Sequence, residues 1–295
     1  MTAFNVLIDA TLRMATGLAF PALGELLIER SGLFNIGLEA CVLWGALGGL
    51  VGSLWLGDPY AGIAVGAMFG LLNGLLFGLL VVPGRMNAVL VGTALNLIAL
   101  GGTGFVYRAM FGHTGTGAAV PLLSPMLQTD LPAAGPLLSQ SLMLPVAVAL
   151  TASLGWFFFR TRAGVQWRAC GEDAEAAAMQ GVQVSRVRLA ACALGCMLAG
   201  VGGAFLVVGA AGVFVERMSA GRGFMALAIV VLGRWRPGGV LAGALLFGVA
   251  GALQFFFQAL GTGVAYQWLL MLPYVLTLAV LALGRRSNAA PALLK

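Results

Sequence analysis

Several polar side chains interrupt the long apolar stretches of this 295-residue chain, and their chemistry is the first thing to explain. Asn73 and Asn96 each carry an amide that can donate and accept hydrogen bonds. That suits an uncharged polar solute and equally suits a neighbouring helix. Gln254 and Gln258 are four apart and share one helix face. Glu39 follows Gly37 and opens an apolar run. An unpaired ionised carboxylate there is costly, so Glu39 must be paired, hydrated or protonated. Glu29 and Glu216 stand at similar interruptions, each followed directly by an arginine, Arg30 and Arg217. Metal chemistry is not indicated. Cys41, Cys170, Cys192 and Cys196 show no disulfide framework, and the single histidine, His113, lies away from them. Zinc or copper sites usually need three or four converging ligands. No nucleophile–base pair stands out and the sequence contains no G-x-x-x-x-G-K-[ST] loop, so neither a catalytic residue nor a cofactor is expected.

The elements that must position these residues are membrane helices. Hydrophobic residues make up 60% of the chain and charged residues 9%, and the mean hydropathy is +0.99. A soluble domain carries roughly 25% charged residues. Uncharged runs cover 40–57, 59–84, 86–107, 131–159, 189–215 and 237–284, and a spanning helix needs about 20 apolar residues. The last run contains the turn signal Gly261-Thr262-Gly263 and divides into two helices. With a first helix near 8–28 the count is eight, and the short run 223–233 makes a ninth. The expected fold is an all-α integral membrane protein of about eight to ten transmembrane helices. The net charge of +6 does not signal nucleic acid, because no stretch interleaves basic and aromatic residues. Asp9, with no basic residue before Arg13, does not look like the start of a cleaved signal peptide.

Arginines set the orientation. Arg160, Arg162, Arg168, Arg186 and Arg188 lie close to helix ends and place 160–188 in the cytoplasm. Arg85, Arg234, Arg236, Arg285 and Arg286 belong on the same side. Keeping them there requires 223–233 to be a crossing. Eleven helical residues cover about 16 Å, half of a roughly 30 Å hydrocarbon core. The preceding segment, Glu216 to Gly223, must therefore dip into the membrane. The segment from Glu29 to Glu39 looks similar. Both begin Glu-Arg, both reach glycines (Gly32 and Gly37; Gly221 and Gly223), and both lead into an apolar helix and a glycine pair (Gly48-Gly49; Gly238-Gly239). These are read as copies of an inverted repeat with short broken or re-entrant segments, a pattern that marks a transport site near the midplane. The other reading is that Glu-Arg pairs simply sit at helix ends in the headgroup region. Gly62, Gly66, Gly70, Gly74 and Gly78 form a smooth ridge along one helix, which lets another helix approach closely. The connection 108–140, with four prolines, falls outside by parity and could be a docking surface or a linker.

The stretch Trp167 to Val182 is short, helical and made mostly of small residues. Glu172, Asp173 and Glu175 fall in its first turn, where negative charge complements the helix dipole, and Gly171 and Gly181 bound it. A helix of about two turns buries no core of its own but can enter a groove on another protein. It resembles the EAA-type coupling helix of ABC importer permeases through Gly171, Glu175, Ala176, Ala177 and Gly181. Residues 29–40, ERSGLFNIGLEA, resemble the signature of the simple-sugar and nucleoside branch of these permeases, approximately E-R-x-G-x-x-N-I-G-x-E. Glu29, Arg30, Gly32, Asn35, Ile36, Gly37 and Glu39 match it. The stretch 219–239 is similar to the same branch through Ala220, Gly221, Arg222, Gly223, Phe224, Gly233, Arg234, Trp235, Pro237 and Gly239, and 92–101 fits as well.

The resemblance covers about 10–284 and implies a single transmembrane permease domain over 1–295, with its coupling loop at about 160–188. It further implies a second, often paralogous, permease subunit, cytoplasmic ABC ATPase subunits on the coupling helices, and an extracytoplasmic solute-binding protein. ATP hydrolysis then belongs to a partner. The implied location is the bacterial inner membrane, multi-pass, with a cytoplasmic C-terminus. The form of the first signature is more similar to permeases for nucleosides or purine-like solutes than to those for ribose. Such solutes would suit a pathway formed by Asn35, Glu39, Asn73 and Asn96, with Phe224 available to stack on a ring. An ion-coupled secondary transporter is the alternative. It would share the broken helices, would use Glu39 or Glu216 as its carrier, and would not need the helix at 171–181.

Overall fold

The computed structural model describes residues 3–112, 119–125, 140–259, 271, 275 and 290–292. The expected last helix, the turn at 261–263, Arg285, Arg286 and His113 lie outside the described residues. The helices are α1 (Ala3–Arg30), α2 (Leu38–Leu56), α3 (Pro59–Val81), α4 (Ala88–Phe111), α5 (Met143–Arg160), α6 (Arg162–Glu172), α7 (Ala174–Met179), α8 (Val184–Phe205), α9 (Arg222–Leu232) and α10 (Pro237–Ala259). Among the described residues, seven helices are long and apolar enough to cross a membrane, and α9 is the short apolar helix expected at 223–233. The protein is an all-α, multi-pass membrane protein. Of the run 131–159, the described residues from Met143 onward are helical.

Local sequence writes several of the helix starts. Asp58 accepts from the N–H groups of Tyr60 and Ala61 at 3.2 and 3.3 Å, and Pro59 occupies the first turn of α3. Asn87 does the same at α4, for Val89 and Leu90 at 2.9 and 3.3 Å. α8 continues into a π-helical stretch, Leu206–Ala211, which Gly212 ends at φ +70°. Residues of the connection after α4 pack against it, with Val120 and Leu123 donating to the carbonyls of Gly212 and Val208 at 2.9 and 2.8 Å. That pairing satisfies backbone acceptors which the widened turn and helix end leave open.

α2 is the axis of the bundle, buried along most of its length, and packs against α3, α4 and α8. The glycine ridge makes this possible. Gly62 and Gly66 of α3 face Gly52 and Gly48 of α2, while Gly70, Gly74 and Gly78 lie against Gly200, Cys196 and Cys192 of α8. Backbones that approach this closely gain dispersion along the whole span, which is what drives helix association in lipid.

The two ends of the bundle gather the segments that the arginine distribution grouped together. At one end Trp167 Nε1 donates to the Leu27 carbonyl, Arg188 Nε to Ser31 and Arg30 to Trp235. At the other, Gln140 Nε2 donates to Asp9 at 2.6 Å and Arg108 pairs with Glu216 at 2.7 Å.

Candidate translocation junction and coupling surface

The two interrupted segments meet inside the protein. Glu39, in the first turn of α2 and only 7% exposed, extends its carboxylate to the start of α9. Oε1 accepts from the Gly221 N–H at 2.8 Å and Oε2 from the Gly223 N–H at 2.6 Å. From this point α9 runs to the end carrying 160–188, where its final turn meets Arg30, and α2 runs the other way. Two helix N-termini thus face each other, each a positive dipole end, and the Glu39 carboxylate lies between them while accepting the first N–H groups of α9. Both oxygens of the Glu39 carboxylate are thus hydrogen-bonded. Glycine is required at 223 because a Cβ there would lie 2.5 and 2.6 Å from the Glu39 backbone N and Cα. Gly221 caps α9 at φ +81°, in the left-handed region that glycine adopts freely.

The asparagines hold the non-helical chain between α1 and α2. Asn35, 1% exposed, accepts from the Gly37 N–H at 2.9 Å and donates to Cys196 Sγ at 3.2 Å. Its own N–H donates to Glu25 Oε1 at 3.1 Å. Asn96 accepts from the Ala40 N–H at 2.9 Å and donates to the Ile36 carbonyl at 3.0 Å. Asn73 lies near the same place, where its Oδ1 accepts from Cys41 Sγ at 3.7 Å. Asn35 and Asn96 therefore supply the hydrogen bonds that a break in helix forfeits, as non-helical backbone at membrane depth demands. Of the five residues proposed for the pathway, Asn35, Glu39, Asn73 and Asn96 are buried together, whereas Phe224 is 49% exposed on α9. Glu25 and Cys196 are members of this junction that the sequence reading passed over. The signal was available in Glu25, a carboxylate inside the first apolar run.

We expect Asn96→Leu to take from the Ile36 carbonyl the amide that donates to it, and to leave the Ala40 N–H only its 3.1 Å bond to the Gly37 carbonyl. At about 1–3 kcal/mol for one buried orphan, the thermal midpoint of the detergent-solubilised protein should fall by roughly 2–6 °C. Asn96→Asp, which keeps the acceptor, should recover part of it in the same melting assay.

The short cytoplasmic-type segment differs in detail from its sequence reading. It was expected as one helix bounded by Gly171 and Gly181, with Glu172, Asp173 and Glu175 in its first turn. It forms two helices instead. Gly171 and Glu172 end α6, and Asp173 leaves the helix at φ −151°, ψ 102° to cap α7, where its Oδ1 accepts from the Glu175 and Ala176 N–H groups at 3.0 Å each. An aspartate cap draws the chain out of α6 because it offers two orphan donors a charged acceptor. Gly171 has a packing role, since a Cβ on it would lie 2.5 Å from the Arg30 carbonyl oxygen. Gly181 ends the segment at φ +82° as expected. A cavity of about 460 Å³ opens here, lined by Val165, Ala169, Glu172, Ala176, Gln180 and Val182 among others. Glu175 and Met179 are exposed, the latter by 83%. At Glu172, Oε2 accepts from the Ala292 N–H at 3.1 Å, which brings Ala292 to this surface.

The repeat also has a limit. Gly48-Gly49 lie inside α2, but Gly238-Gly239 lie beyond the end of α9, in the first turn of α10. Pro237 and the turn at Gly233 stop α9, because proline cannot continue a helix and Gly233 packs directly on Gly239 and Val240.

A protein-family model described as branched-chain amino acid transport system permease component matches residues 7–281. The chain belongs to this family of transport permeases. NupQ of Bacillus subtilis, a guanosine ABC transporter permease protein, is 32% identical over 314 residues, covering 97% of this chain and 96% of its own. NupC of Lactococcus lactis, a nucleoside ABC transporter permease protein, is 30% identical over 303 residues, covering 99% and 96%. TsgC13 of Haloferax volcanii, named as a candidate glucose ABC transporter permease, is 35% identical over 260 residues, covering 86% and 78%. No solved structure matches the chain. This permease is the membrane-spanning subunit of an ABC importer and forms a translocation pathway. Its relatives are transport subunits and not themselves enzymes.

Proposed function

We propose that this permease imports a nucleoside or purine-like compound through a pathway walled by α2, α4 and α9. One observation carries the reading of the solute class: relatives named for guanosine and for nucleosides cover at least 96% of both chains from end to end. The geometry is compatible with an uncharged ring. The Glu39 carboxylate is taken up by backbone donors, Glu25 accepts from the Asn35 N–H, and Phe224 projects from α9 with its ring open. Phe224 stacks on the base, while Asn35, Glu39, Asn73 and Asn96 shape the wall behind it.

The rest of the importer follows from the family. Cytoplasmic ATPase subunits dock on α6 and α7 through Glu172, Asp173, Glu175 and Ala176, an extracytoplasmic binding protein delivers the solute, and a second permease subunit completes the pathway. The names NupB and NupC, both nucleoside permeases of one Lactococcus lactis strain, support a paralogous partner. The protein lies in the bacterial cell membrane with 160–188 and the C-terminus cytoplasmic. Five arginines in that loop and the Ala292–Glu172 hydrogen bond support this orientation.

The testing experiment is a detergent pull-down with co-expressed ATPase subunits, followed by uptake of radiolabelled guanosine into cells carrying the complete importer. Wild type should retain the ATPase, and Glu172→Arg/Glu175→Arg should lose it while remaining monodisperse. Retention by the double variant overturns the docking assignment. Uptake that unlabelled glucose inhibits and unlabelled nucleosides do not would overturn the solute class. Asp173→Ala removes the α7 cap, worth about 1 kcal/mol. It should weaken ATPase retention several-fold with no change in the melting curve of the bundle, and Asp173→Asn should restore it.

A further inference from the structure

α9 is held at both ends by the short stretch 29–39. Glu39 takes its first N–H groups. At its other end Arg30 donates to the Trp235 carbonyl from Nε at 2.9 Å and from Nη2 at 2.5 Å, and the Trp235 indole N–H donates to the Glu29 carboxylate. The turn so held is strained, because Arg234 and Trp235, neither of them glycine, both sit at φ +53°. Such residues persist in the left-handed region only where surrounding contacts fix them.

The end of α1 and the start of that stretch, from Leu27 to Ser31, carry the coupling segment on the other side. Trp167 of α6 donates to the Leu27 carbonyl at 2.8 Å, Gly171 lies against the Arg30 carbonyl, and Arg188 donates to Ser31 at 3.3 Å. Arg30 is therefore shared. Its backbone bears on α6 and its guanidinium bears on the end of α9.

We propose that residues 29–39 are the transmission link of this permease, with Trp167, Arg30 and Trp235 as positioning residues that pass displacement of α6–α7 to α9. Displacing α6 moves the end of α1, and the two bonds from Arg30 draw the 233–235 turn with it. α9 is about 16 Å long and is gripped at both ends, so it moves as a rod and carries Phe224. Loss of the Arg30 and Trp235 bonds lets the turn relax from its left-handed backbone and leaves α9 behind when α6 moves.

The inference rests on the importer reading, and the experiment separates the two. The assembled permease–ATPase complex in nanodiscs carries Val231→Cys, an exposed position on α9, while the four native cysteines are buried. Labelling of that thiol by a water-soluble maleimide is followed with and without ATP and vanadate. The expected result is a nucleotide-dependent change of at least about fivefold in the native background. In Arg30→Met/Trp235→Phe it should shrink to less than about twofold, while the ATPase stays bound and still hydrolyses ATP. If the double variant does not fold, Trp167→Phe tests the other joint, since it removes one hydrogen bond and keeps the ring in place. An undiminished change in either folded variant overturns the link, as does a native complex that hydrolyses ATP with no change at Val231. Absence of any ATPase from the native complex would instead overturn the importer reading.

Discussion

Replacing Glu39 by alanine is expected to abolish uptake. The Gly221 and Gly223 N–H groups lose their acceptor in a place that water does not reach freely, at about 1–3 kcal/mol each. The α2 and α9 N-termini also lose the charge that offsets their dipoles, worth up to about 1 kcal/mol apiece. A total near 4 kcal/mol corresponds to roughly a thousandfold fall in the population of the joined state. Glutamine at 39 keeps the length and one acceptor oxygen but turns an amide N–H₂ toward a backbone donor, so it should be intermediate. Aspartate is one methylene shorter and should fail to reach both glycines. Uptake of labelled guanosine, normalised to the amount of assembled complex, ranks the three variants. Alanine behaving as wild type would mean that the junction is not needed for transport.

The second large effect is expected at Gly70. A Cβ there would stand 2.8 and 2.9 Å from the Cα and N of Gly200, which are backbone atoms that no rotamer change can move aside. Gly70→Val must push α3 away from α8 and cost several kcal/mol through overpacking and lost contact along the ridge. The variant should be recovered mainly as aggregate on size-exclusion chromatography. Gly101→Ala and Gly155→Ala are the controls. A Cβ at either position meets nothing within 4 Å, and alanine is the better helix former, so their elution and melting should match wild type or improve on it. A monodisperse Gly70→Val protein would show that the α3–α8 face is looser than its geometry.

The resemblance had a physical basis because the family's motifs fall where backbone geometry is most demanding. Glycine at 221 serves a positive φ, glycine at 223 admits the Glu39 backbone, and Asn35 and Asn96 replace hydrogen bonds that the break after α1 gives up. Residues with so few substitutes leave a readable trace in one sequence. Asp173 did not, because an acidic residue between two glycines fits the first turn of one helix as well as the cap of a second. Only its dihedrals and its two N–H partners separate α6 from α7.

By itself the sequence determined that this is a membrane-embedded bundle, where the described spans lie, that two segments break the helical pattern, and that a glycine ridge packs on a neighbour. These are properties of composition and spacing, and each is local or has a fixed period. Only the tertiary structure decided that the two broken segments touch, that Glu39 closes the start of α9, that Arg30 and Glu29 hold its end, and that Trp167 seats the coupling segment on α1. The physical reason is range. These contacts join residues between 140 and 206 positions apart, and nothing in the local sequence of either partner names the other.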